Sequence, residues 1–403
     1  MRWHGPLAAA LATVLAIGCR GDRATAREER AAPARPVAAL SSVIPPLPQS
    51  PDGAQELVAL DLQIEKARTA EDREALIAAL GRRAMLRGRH EDFREALRRA
   101  EAWTSDDKKN PRAWAAWIGI ATQAHRFSDA ARALDDLEPL ATDPSQWEPL
   151  QATWFEAQGK PELARDHRER TAKIHPTTAN LTALAANLAL RGRLDEAVTM
   201  IPVAAAALRD PSPVLVAWLL VQWGRLHVQK GELAAARQLF EEAHRRMPGY
   251  VDATVQLATV MRATGGDPTE LVTAALGSEP AHPELLALAG KTTEAHAAWT
   301  VYLKYPLEEA FADHAARFYL GAGREPGRAL SLASDNFMNR STAEARSLLV
   351  EAQLVNAMWK EACRDAEPLA SSTRAHQFLA WRAFTACGQT TEAGRLAQTL
   401  GIR

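Results

Sequence analysis

The sequence predicts an all-α fold, an α-solenoid of stacked helix-turn-helix hairpins wound into a superhelix. Three observations predict it. Trp223, Gly224, His227, Gly231, Ala236, Phe240, Ala243 and Pro248 interleave large and small apolar residues at helical spacing and end on a helix breaker. With Ala236 as a register mark, equivalent alanines stand at Ala130, Ala164, Ala197, Ala295, Ala329, Ala362 and Ala393. Turn glycines accompany the ladder at 159, 192, 231, 265 and 290.

Each position in that unit has a physical task. Gly224 on the first helix, with Ala236 and Ala243 on the second, lets the two backbones approach. Trp223, Leu233 and Phe240 fill the space between them, because protein interiors pack at crystal-like density. Gly231 serves the turn, where a left-handed backbone costs glycine least, and Pro248 ends the second helix. These offsets resemble the tetratricopeptide repeat, a two-helix unit of about 34 residues.

The recurrence extends over the chain. Steps between marks are 34, 33, 39, 59, 34, 33 and 31 residues. The longest step holds a degenerate unit, with Leu257, Ala258, Met261 and Gly265 in frame and Glu270 in the alanine place. Upstream, Leu80, Gly81, Ala84, Gly88, Leu97 and Ala100 form a first unit marked by Phe93. About ten units therefore fill residues 51–403, behind an amphipathic capping helix over 54–72. The region 265–310 is irregular: Leu276–Gly290 leaves little room for a first helix, so a kink is expected near Glu279–Pro283. The step around Asp210–Pro213 implies a longer connection. A chain of 403 residues exceeds one ordinary core, but repeats bury themselves against neighbours and escape that limit.

The N-terminus reads as an address. Arg2 precedes an apolar run, Leu7–Ile17, too short to span a bilayer and suited to a signal peptide over 1–18. The run ends Leu15-Ala16-Ile17-Gly18-Cys19, which resembles a bacterial lipoprotein signal. The resemblance implies cleavage before Cys19 and acylation of that residue; an ordinary cleaved signal is the alternative. Several acyl chains hold a protein firmly, at about 0.8 kcal/mol per buried CH₂. Arg20 rather than aspartate after the cysteine implies the outer membrane, on its periplasmic face. Residues 19–50, rich in alanine, proline and arginine, form a disordered tether spanning roughly 30 Å.

Charge and motifs exclude several functions. With 48 basic and 49 acidic residues there is no general nucleic-acid footprint, and no nucleic-acid partner is expected. His90-Glu91 lacks the second histidine of a zinc-protease helix, and no nucleophile elbow or phosphate loop occurs. Gly321–Gly327 reads as a turn before Ala329. Asp135 and Asp136 diverge around one helix and read as a solvated face. His227 reads as core, as do Trp117, Trp154 and Trp223. No catalytic residue, cofactor or metal is expected. Cys363 and Cys387 fall in register on adjacent antiparallel segments, so they either bridge or persist as two buried thiols.

The repeat resemblance implies that first helices line a concave groove, with positions 2, 5, 9, 12 and 13 of each unit facing it. Those positions are Trp218, Val221, Arg225, Val228 and Gln229, then Asp252, Val255, Thr259, Arg262 and Ala263. Gln146, Thr153 and Glu156 precede them; Phe311, His314 and Phe318 follow. Trp218 is either an open-face aromatic flanked by Arg225 and Arg262 or a packing residue of the run Val214–Val221. The carboxylate-clamp set of chaperone-binding repeats is missing. The expectation is a non-catalytic scaffold or adaptor lipoprotein of the cell envelope, binding a protein partner as an extended or helical peptide. A self-associating structural protein is the first alternative, an accessory subunit of an envelope enzyme the second.

Overall fold

The structure is a computed structural model describing residues 52–402 together with Leu47, apart from 142, 143, 145, 146, 210 and 211. The signal, Cys19, most of the tether and Gln146 lie outside the described residues. Among the described residues the regular structure is helical throughout, with 21 α-helices and two short 3-10 turns. Helix α1 (Gly53–Thr69) caps the stack. Paired helices follow: α2 (Arg73–Arg87) with α3 (His90–Asp106), α4 (Pro111–Gln123) with α5 (Phe127–Leu137), and α6 (Glu148–Ala157) with α7 (Pro161–Ile174). Next come α8 (Thr178–Leu190) with α9 (Leu194–Ala206), α10 (Pro213–Lys230) with α11 (Leu233–Arg246), and α12 (Val251–Ala263) with α13 (Thr269–Ser278). The last four pairs are α14 (Pro283–Leu288) with α15 (Thr292–Tyr302), α16 (Glu308–Leu320) with α17 (Pro326–Asn339), α18 (Ala343–Val355) with α19 (Trp359–Ala366), and α20 (Arg374–Cys387) with α21 (Thr390–Leu400). These ten pairs are units 1 to 10.

The hairpin turns obey one rule. Five residues before every register mark, Phe93 and Glu270 included, the backbone is left-handed. Glycine supplies it at Gly88, Gly159, Gly192, Gly231, Gly265, Gly290 and Gly388; His125, Arg324 and Ala357 supply it at φ of 54°, 52° and 57°. A side chain there costs roughly 1 kcal/mol relative to glycine, so units 2, 8 and 9 hold the same turn against strain. The close crossing is equally direct. A Cβ on Gly224 would sit 2.4 Å from the Phe240 ring, and Trp223, Phe240, Ala236 and Ala243 are almost wholly enclosed.

Departures from regularity are absorbed locally. Helix α14 is only six residues long, and α10 runs to 18. In α13, Glu270 leaves the alanine place exposed and only Val272 is buried. Cys363 on α19 and Cys387 on α20 form a disulfide, S–S 2.13 Å, joining the last two units covalently.

Where the sequence predicts an open inner wall, the spiral closes on itself. Arg87 and Arg89 reach Glu279. The Tyr302 hydroxyl donates to the Gly88 carbonyl (3.0 Å), and Asn339 Nδ2 donates to the His125 carbonyl (2.7 Å). Gln158 donates to the carbonyl of Asn339. These partners lie 181 to 214 residues apart in sequence, about six repeats of 34 residues. The hairpin-turn edge of units 1 to 3 thus rests on the inter-unit edge of units 7 to 9, as adjacent coils of a closed spring touch.

Candidate partner-binding surface

The central groove positions are interior. Trp218 and Val221 are fully enclosed, and Arg225 is 5% exposed. Helix α1 packs against α10 and α2 against α12, which withdraws this stretch of wall from solvent. Trp218 is therefore a core residue and not an open-face aromatic. Arg225 is spent on Asp252, with Nη2 2.8 Å from both carboxylate oxygens, and Tyr250 and Gln256 also donate to Asp252. Gln229 is half-buried, and Thr153 and Glu156 are buried. Glu156 accepts from Arg168 Nη2 at 2.6 Å, and the same guanidinium binds the Thr153 hydroxyl. Arg262 is exposed and donates to the Leu288 carbonyl instead of flanking Trp218. Phe311 packs edge-on to Phe93 and Tyr302, with ring centres 6.3 and 5.0 Å away.

His314 has partners that its sequence neighbourhood conceals. Its Nδ1 lies 2.9 Å from Glu284 Oε1, and its Nε2 lies 3.8 Å from Asp313. Asp313 accepts from Arg340 Nη2 at 2.6 Å; both side chains are buried. Burial alone would raise Asp313, but Arg340 and then His314 hold it well below the usual carboxylate range. Burial likewise opposes charge on His314, and Asp313 with Glu284 overcomes it, lifting the imidazolium to about 9. Burial drives His125 down to about 3 and His282 down to about 4. The cluster is a charged clasp beside the seam, with the seam histidines neutral.

Nothing in this set forms a nucleophile and base poised at an open cleft. Among the described residues no group of three histidine, cysteine or carboxylate side chains is placed to hold a metal ion, and no helix is long and apolar enough to cross a membrane. His227 is buried with Nδ1 2.6 Å from Glu232, a structural contact.

The clasp makes stability pH-dependent in both directions. Unfolded histidine titrates near 6.5. Below that value the unfolded chain binds protons that folded His125 and His282 refuse, so stability falls with acidification by about 1.4 kcal/mol per unit for each. Above it, His314 keeps in the fold a proton that it loses on unfolding, so stability falls again until about 9. Asp313 contributes stability that is lost as pH drops below its unfolded value of about 3.9. Urea midpoints between pH 5 and 9 should peak near 6.5, and His314→Gln should flatten the alkaline limb. A flat wild-type profile would contradict this assignment.

The wall opens at its C-terminal end. On the first helices of units 9 and 10, Val355 is 51% and Phe378 46% exposed. Arg382, Thr385 and Ala386 are exposed beside them on α20. Phe378 and Arg382 hold the repeat positions that Val221 and Arg225 hold in unit 5. Arg382 makes no ion pair among the described residues. Reading the groove positions forward by two more units would have found them; for the central ones the apolar run Val214–Val221 signals the burial of Trp218 and Val221, while that of Arg225 has no local sequence signal.

Neither a family model nor a curated protein sequence matches the chain. Solved structures do resemble it in shape. The APC/C hetero-tetramer Cut9-Hcn1 aligns at 12% identity and TM-score 0.47, over 85% of this chain and 58% of that one. The chain thus spans just under three fifths of that protein's length. The human IFIT1 dimer with m7Gppp-AAAA aligns at 15% identity and TM-score 0.45, over 77% and 76% of the two chains. Naa15/Naa10 bound to HypK-THB gives 13% identity and TM-score 0.30, over 86% and 68%. The fold rests on the molecule's own geometry: with ten hairpin turns in a single register, the chain is an α-solenoid of tetratricopeptide-type units.

Proposed function

We propose that the protein is a non-catalytic adaptor of the bacterial cell envelope, tethered by lipid on Cys19 and engaging a protein partner at the C-terminal end of its inner wall. The exposure of Phe378 and Arg382 carries this reading. Aromatic and arginine side chains dominate binding energy where they are accessible, and the equivalent places in unit 5 are sealed. The partner that fits is an amphipathic helix, with apolar residues for Val355 and Phe378 and a carboxylate for Arg382, as Asp252 serves Arg225 in the interior. The tether would let the body stand clear of the lipid headgroups.

A photocrosslinking residue in place of Phe378, in intact cells, should trap one discrete protein adduct. The adduct should vanish with Arg382→Ala, and the same crosslinker at exposed Ile174 on α7 should give none. No adduct at 378, or an equal adduct at 174, removes the site. Cys19→Ala should move the protein from the membrane fraction to the soluble fraction; retention on membranes removes the anchor.

A further inference from the structure

The second coil of the spiral has a free hairpin-turn edge, since no further coil rests on it among the described residues. On that edge, between the turns of units 6, 7 and 8, lies a cleft of about 510 Å³. Its floor is small: Ala287, Gly290, Thr292 and Ala322 line it. Two guanidinium groups, Arg262 and Arg324, stand at its sides. A Cβ on Gly290 would meet nothing within 4 Å, so the space above the unit 7 turn is open.

The two arginines are not consumed by the fold. Arg262 uses one N–H on the Leu288 carbonyl, leaving further donors of its five. Arg324 is exposed and makes no hydrogen bond or ion pair among the described residues. It also occupies a left-handed turn position that seven units fill with glycine.

The first coil shows what such an edge takes. There Arg87 and Arg89 flank the turn glycine Gly88 and together hold Glu279 of the next coil, with Nη1 3.4 Å and Nε 3.2 Å from Oε1. The first pair adjoins a single turn glycine and meets a carboxylate from the layer above; the second comes from units 6 and 8, on either side of the unit 7 turn glycine Gly290. In the second coil no such layer rests on the edge among the described residues. We infer that the Arg262–Arg324 cleft is a docking site for an acidic segment of a protein partner, taking its carboxylates as Arg87 and Arg89 take Glu279. The site lies on the turn edge, away from Phe378, and does not depend on the inner-wall reading.

Isothermal titration of the full chain in detergent, at low salt, with hexaglutamate as the probe tests this. One equivalent should bind. Arg324→Gly, which keeps the left-handed turn, and Arg262→Gln should each weaken binding at least tenfold. Arg165→Gln, a half-buried arginine on α7 far from the cleft in sequence, should leave it unchanged. No binding by the wild type, no loss in Arg324→Gly, or an equal loss in Arg165→Gln overturns the site. Pyrophosphate binding more tightly than hexaglutamate, with the same dependence on both arginines, overturns the acidic-segment assignment in favour of a phosphate ligand.

Discussion

Replacing Asp313 with alanine is expected to lower the unfolding free energy by about 3–5 kcal/mol, the cost of stranding one partner of a buried ion pair. Arg340 would remain 1% exposed, and the neutral Asn336 Oδ1, 2.9 Å from its Nε, would not balance its charge. His314 would lose one of the two carboxylates that keep it charged. The damage should be local before it is global, because Arg340 follows Asn339, whose amide holds the His125 carbonyl across the coils. Hydrogen exchange should therefore speed up first at 125–127 and 339–342, with the helices of units 4 and 5 still protected. Joint replacement, Asp313→Leu with Arg340→Met, should recover most of the loss, since a well-packed apolar pair avoids desolvating two charges. A loss below about 1 kcal/mol in the single variant would show that the pair is solvated or replaceable.

The helical hairpins were legible because their determinants are local. Gly224 must meet Phe240 across one turn, and the alanine ladder repeats that requirement every 31 to 34 residues in most units. Even the left-handed turns at His125, Arg324 and Ala357 lie in the register set by Ala130, Ala329 and Ala362, although their residue types disguise them. The closure of the spiral was not legible. It depends on how small rotations between successive units accumulate over six of them, and no single residue carries that sum. Arg87, Arg89 and Glu279 look like ordinary surface charges until the next coil is placed. The same blindness left Trp218 open between two readings and put Arg225 on an open face: their positions in the unit are the facing ones, but the facing volume is filled by α1 and α2.

Trp218→Ala is accordingly expected to unfold the protein more readily, and not merely to weaken partner capture. A fully enclosed tryptophan truncated to alanine costs about 3–5 kcal/mol, the lost transfer energy plus the cavity left behind. The apolar cluster around it runs without a break from Leu57 through Leu80 and Leu220 to Tyr250 and Leu257. The cavity would thus open where the cap helix meets units 1, 5 and 6. Trp218→Phe, which keeps most of the volume, should lose less. Phe378→Ala provides the opposite case: at 46% exposure it makes little core, so its stability should shift by under about 0.5 kcal/mol while crosslinking to the partner falls. The two variants separate structure from recognition. If Trp218→Ala melted like the wild type in urea, the side chain would have to be solvent-accessible, and the closed spiral around it would be wrong.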